Sequence, residues 1–183
     1  MRLIQRSLMT LLIVIIPANV KAQDWQKYTN QEGQFSVNMP SKTELESLTQ
    51  PIIGGKLTYH FYISELENGD QVFMISRNDF PAKNIAKSDS QVMLDACVDG
   101  AVKSRQGKLL TQEKVKLNGY PGRKCSFEGR AGGKPLMVWH ECYLVKNRLY
   151  QIMVMSKKEN PPVEKMRNRF FDSFELLKPE KTK

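Results

Sequence analysis

Apolar and polar residues alternate with a period of two over Phe35-Ser36-Val37-Asn38-Met39 before Pro40 closes the run, the pattern of a half-buried strand. The same period, sustained longer, puts Leu57, Tyr59, Phe61 and Ile63 on one face of Lys56 to Glu65. Asn68-Gly69-Asp70 follows as a turn whose glycine can take positive φ, and Gln71 to Arg77 returns as the partner strand. The period changes after Ser88-Asp89-Ser90-Gln91, which has the spacing of a capping box. From there Met93, Leu94, Cys97, Val98, Ala101 and Val102 recur at helical intervals until Gly107 ends the run. One face of this helix is apolar and must lie on a sheet.

Three further strands are predicted, Lys108 to Leu117, Arg123 to Arg130 and Leu136 to Lys146, with hairpin turns at Asn118-Gly119 and Gly132-Gly133. Asn147-Arg148 turns the chain into a last strand through Tyr150, Ile152 and Val154. A second helix starts at Asn160-Pro161-Pro162, with an asparagine cap and proline in its first turn, and carries Val163, Met166, Phe170 and Phe174 on one side. Consecutive hairpins with segregated helices predict an α+β sandwich, a central antiparallel sheet flanked by helices.

The first residues do not belong to this pattern. Arg2 and Arg6 precede an apolar stretch from Leu8 to Ile16, then the helix-breaking Pro17 and the small-residue pattern Val20-Lys21-Ala22. This is the layout of a signal peptide over residues 1–22, cleaved after Ala22. The apolar stretch is shorter than the roughly 20 residues a membrane span needs, and no cysteine near Ala22 offers a lipid attachment point. The expectation is an exported, soluble protein, periplasmic or extracellular, with one domain over residues 23–178 and a basic flexible tail over 179–183.

Charge then changes meaning. The formal net charge is +9, and removing Arg2, Arg6 and Lys21 leaves a modestly basic mature chain. For an exported protein this excludes nucleic acid as a sensible partner and points to an anionic surface or an acidic protein. Lys157, Lys158, Lys165 and Arg169 form the candidate basic surface, since Lys165 and Arg169 share a helical face beside the apolar stripe. A merely solubilising helix face is the plainer alternative.

Several segments together resemble one family. They are Trp25, Tyr28 and Gly33 to Pro40, the helix Leu94 to Val102, the turn Leu117 to Arg123, the stretch Tyr143 to Gln151, and the closing Phe171-Asp172-Ser173-Phe174. In this order, over about residues 24 to 178, they look like the bacterial branch of the PsbP-like superfamily, which includes an extrinsic lumenal subunit of photosystem II and a nuclear Ran-binding protein. The resemblance implies a central antiparallel sheet flanked by helices, no shared catalytic centre, and members that bind or assist other proteins. It carries over no catalytic residue, and neither known partner follows from it.

Three cysteines remain to be assigned, Cys97, Cys125 and Cys142. Cys125 and Cys142 lie on strands of one hairpin and would face each other directly if its turn centred on Gly133-Lys134, so an oxidising compartment makes their disulfide a candidate, with Cys97 free in the core. A one-residue change of register would put them on opposite faces. The sharper alternative is a zinc or copper site from His140, Cys142 and Cys125. Hydrolytic chemistry has little support: there is no Gly-x-Ser-x-Gly elbow, the histidines are His60 and His140, and Asp95 and Asp99 read as a solvated helix face. The functional expectation is therefore a non-enzymatic binding or assembly module without a cofactor that holds a protein partner. The alternative is a small metal or redox protein.

Overall fold

The computed structural model describes residues 25–52, 55–66, 69–85, 88–157 and 161–178. The expected signal peptide and basic tail lie outside these residues, as do Asn68, Lys158 and Asn160, the expected cap of the second helix. In chain order the elements are β1 (Gln26–Asn30), β2 (Phe35–Met39), β3 (Glu44–Ile52), β4 (Gly55–Leu66), β5 (Gln71–Asp79), α1 (Ala82–Ile85) and α2 (Ser90–Ser104). They continue with β6 (Lys108–Leu117), β7 (Tyr120–Ala131), β8 (Lys134–Val145), β9 (Arg148–Ser156), α3 (Pro161–Asp172) and β10 (Glu175–Leu176).

The strands form two sheets. A seven-stranded antiparallel sheet runs in the order β3-β4-β5-β9-β8-β7-β6, and a three-stranded one in the order β1-β2-β10. The protein is thus mainly antiparallel β, with α2 and α3 as the long helices among the described residues. The small second sheet modifies the expectation of one central sheet flanked by helices.

Strand periodicity explains the two cores, because alternate residues of each central strand serve opposite faces. Phe73 and Ile75 of β5 and Tyr150, Ile152 and Val154 of β9 point to one face. There they meet Phe35, Val37 and Met39 of β2 and Phe170 and Phe174 from the α3 region. Met153 and Met155 of β9, with Val138, Cys142 and Leu144 of β8 and Cys125 and Phe127 of β7, point to the other, where Leu94 and Val98 of α2 close the core. The first face is covered by the small sheet and α3. The second is covered by α2 over β7 and β8.

Local signals account for the boundaries. Asn118 (φ 50°) and Gly119 (φ 85°), then Gly132 (φ 55°) and Gly133 (φ 77°), are paired left-handed residues of two-residue hairpins. The β8–β9 turn differs from expectation, since Lys146 (φ 57°) takes the left-handed position one residue before the predicted Asn147-Arg148. At the start of α2 the cap is Asp89, whose carboxylate accepts from the Gln91 backbone N–H at 2.7 Å, instead of the predicted Ser88. An aspartate there does the same work one residue later.

Candidate functional site

α2 is fifteen residues long and packs chiefly on β7 and β8, so among the described residues the β3–β5 side of that face is left largely uncovered by it. The result is a cleft of about 750 Å³ between α2 and this uncovered arm. Leu48 of β3 and Tyr59 and Phe61 of β4 form one wall, with the two rings stacked at 6.2 Å and 11°. Met93, Cys97 and Ala101 of α2 form the opposite wall, and Leu149, Gln151 and Met153 of β9 lie between them. Ser76 and Asn78 of β5 also line the cleft. The Ser76 Oγ and both polar atoms of the Asn78 side chain are buried without a hydrogen-bond partner. Such groups cost about 1–3 kcal/mol each when left unpaired, so their presence in an open apolar cleft is notable chemistry.

Beneath the cleft wall lies a second feature. Cys97 projects from α2 onto the face of β8 that carries His140 and Cys142, and one ligand atom from each of these three residues lies within 4.8 Å of the others. His140 is 1% exposed. Burial lowers its pKa to about 4, which keeps the imidazole neutral, although nearby Gln151 opposes the shift. Its Nδ1 is 3.8 Å from the Cys125 Sγ, while Nε2 makes no hydrogen bond. The Cys97 Sγ donates to Gln151 Oε1 at 3.3 Å. Interaction with Cys142, reinforced by burial, raises the Cys97 pKa well above its ordinary value, and burial pushes that of Cys125 up to about 12. Metal-free, the Cys97 and Cys125 thiols and the imidazole are neutral.

The expected Cys125–Cys142 disulfide is absent, and all three cysteines are free. The reason is register. The β7–β8 turn occupies Gly132-Gly133, so Cys125 stands opposite His140, and Cys142 stands opposite Arg123. Centring the turn one residue later would have brought the two cysteines face to face. The metal alternative changes membership for a related reason: the tight set contains Cys97, with Cys125 beside Nδ1 instead of among the three.

The other singled-out residues serve the fold. Asp95 is bound by Arg123, a side chain only 2% exposed, through Nε at 2.7 Å and Nη2 at 3.1 Å, and by Gln112 Nε2 at 2.9 Å. Half exposed, it ties α2 to the sheet from the helix surface, where Asp99 is exposed one turn further on. His60 pairs with Arg77 on the face opposite His140 and bonds Ser47 Oγ at 3.1 Å, so the two histidines share no site. Of the basic set, Lys157 pairs with Asp70 at 2.6 Å, and the Arg169 guanidinium lies 4.6 Å from the Trp25 ring centroid. Lys165 is exposed.

Ser76 and Asn78 were not picked out from sequence, although they stand on the same strand face as Met74, two and four residues before them. Their signal was polarity on an otherwise apolar face. Helical spacing put Cys97 beside Val98 and Leu94, and strand spacing put His140 with Cys142. What brings these pairs together is which sheet face α2 covers.

Comparison with known proteins agrees with this architecture. The fold is PsbP-like. The chain is similar to cyanobacterial PsbP (CyanoP) from Synechocystis, with 11% identity and a TM-score of 0.50, the match covering 86% of this chain and 95% of that one. A protein of unknown function from Pseudomonas aeruginosa matches with 10% identity and a TM-score of 0.40, covering 79% and 88%. No family model and no curated protein matches the chain.

Proposed function

We propose that this chain is a non-enzymatic binding module, exported from the cytoplasm, that holds an extended segment of a protein partner in the cleft between α2 and β3–β5. The observation that carries this reading is an open, apolar cleft with the unpartnered Ser76 hydroxyl and Asn78 amide buried in its floor, each residue 1% exposed and within reach of a partner that settles into the cleft. A peptide supplies what the cleft lacks, since its backbone N–H and C=O can pair with these groups while one or two bulky apolar side chains fill the space. Met74, Met93 and Met153 line the cleft and are adaptable in shape, as suits a surface that accepts a partner's side chains. β3 adds a second means of attachment, being the outer strand of the sheet and exposed along nearly its whole length. The PsbP-like fold is consistent with a binding role.

A random peptide library selected on the immobilised protein tests the reading. Selected peptides should share a bulky apolar residue, lose at least about tenfold in affinity on Asn78→Leu, and fail to bind Ala101→Trp, which fills the cleft from α2. Peptides that bind Ala101→Trp as tightly as the unchanged protein would place the binding surface elsewhere.

A further inference from the structure

We propose that Cys97, His140 and Cys142 form a zinc site, with Cys125 as the neighbour of the histidine's second nitrogen. Three observations converge. The ligand atoms lie within 4.8 Å of one another. In a tetrahedral zinc site with Zn–S bonds of about 2.3 Å, neighbouring sulfurs stand about 3.8 Å apart, so modest side-chain adjustment closes the set. His140 is buried, and its Nε2 makes no hydrogen bond within 3.5 Å, its polar neighbour on β9 being the Gln151 amide. Its Nδ1 lies 3.8 Å from Cys125, the position from which a second-shell group orients a ligating imidazole.

Charge chooses the metal. Two thiolates and a neutral imidazole around Zn²⁺ sum to zero, which a buried site tolerates; around Cu⁺ they leave a net negative charge in the core. Binding displaces the two thiol protons to solvent, and no electron is transferred. Gln151 Oε1, 3.3 Å from the Cys97 sulfur, is the nearest candidate for a fourth ligand. Both Cys97 and Gln151 line the cleft, so the fourth position opens toward it and not into the sheet. The site stands independently of the peptide reading: metal can be bound whether or not the cleft holds a partner.

The full chain, purified without chelators and with thiols protected from oxidation, should contain one zinc per chain by mass spectrometry. Cobalt replacing the zinc should give the visible bands of tetrahedral Co²⁺ and a charge-transfer band of two-thiolate intensity. Cys97→Ser and Cys142→Ser should each roughly halve that band, while Cys125→Ser leaves its intensity and the stoichiometry unchanged. Circular dichroism identifies any variant that fails to fold, and in that case the unchanged chain and Cys125→Ser still decide. The proposal is overturned by a folded, reduced chain that takes up no cobalt, by copper in place of zinc, or by loss of the thiolate band in Cys125→Ser. A Cys97–Cys142 disulfide in protein alkylated at lysis would also overturn it.

Discussion

At the scale of single residues, two buried arginines depend on acids to offset the cost of taking their charge out of water. Arg77 and Arg123 have side chains only 2% exposed, and each is held by an acid at the protein surface. For Arg77 the acids are Glu32, 2.5 Å away, and Asp79 at 3.4 Å, while Tyr62 Oη accepts from Arg77 Nε at 3.1 Å. The Arg77 hydrogen bond and its positive charge hold the Glu32 carboxyl below its ordinary value of 4.5. A depressed acid pKa means that this contribution to stability is fully present above the unfolded value and is lost as pH falls through the folded one. Melting temperature should therefore fall more steeply below about pH 4.5 in the unchanged protein than in Glu32→Gln, which has already lost the ionised partner. Parallel melting-temperature profiles would remove Glu32 from the acid limb. These pairings were not legible in the sequence, because Glu32 and Arg77 are separated by 45 residues. The loop after β1 and the strand β5 meet only through the packing of the small sheet on the large one.

At the scale of elements, glycines distinguish a helix that needs no special backbone from a strand that needs close approach. Gly100 lies within α2, its φ is not in the left-handed region, and an added Cβ would meet nothing within 4 Å. Gly100→Ala should therefore stabilise the protein by about 0.5–1 kcal/mol in denaturant unfolding, through helix propensity alone. Gly122 on β7 is the opposite case, since a Cβ there would press against the Tyr143 ring and come within 2.6 Å of the Cys142 carbonyl oxygen. The same substitution at Gly122 should cost about 1–3 kcal/mol, and a neutral result would show that β8 can yield at this point. The elements themselves were largely legible where one face is buried: β2, with Phe35, Val37 and Met39 inward, and β6 have the expected bounds. The strands that escaped notice are β1, β3 and the two-residue β10. β3 is exposed at nearly every position, with Leu45 and Leu48 in solvent, so no buried face imposed an alternation on its sequence. For the candidate site, parity correctly paired His140 with Cys142. Whether Cys125 or Cys97 joined them depended on the hairpin register and on which sheet face α2 covers, neither of which the local pattern encodes.

At the scale of the whole molecule, the seven-stranded sheet is the shared wall of two cores, and this dictates how the protein should unfold. Neighbouring residues of β9 belong to different cores: Ile152 and Val154 pack toward α3, Met153 and Met155 toward α2. Neither core can lose this strand while the other keeps it. The first core also joins distant parts of the chain, since β10 pairs with β2 and Phe170 meets Phe73 edge to face at 5.3 Å. Phe170 is fully buried, so Phe170→Ala should cost about 3–5 kcal/mol. The informative readout lies on the other side of the sheet, at the buried thiols of Cys125 and Cys142. Under metal-free, reducing conditions their labelling through global opening should accelerate in proportion to the stability lost, in step with the fluorescence of Trp139, which packs on the Phe170 side. If the thiols keep their protection while Trp139 reports melting, the two faces are separate cooperative units. The cleft between α2 and β3–β5 could then open or close without disturbing the core around α3.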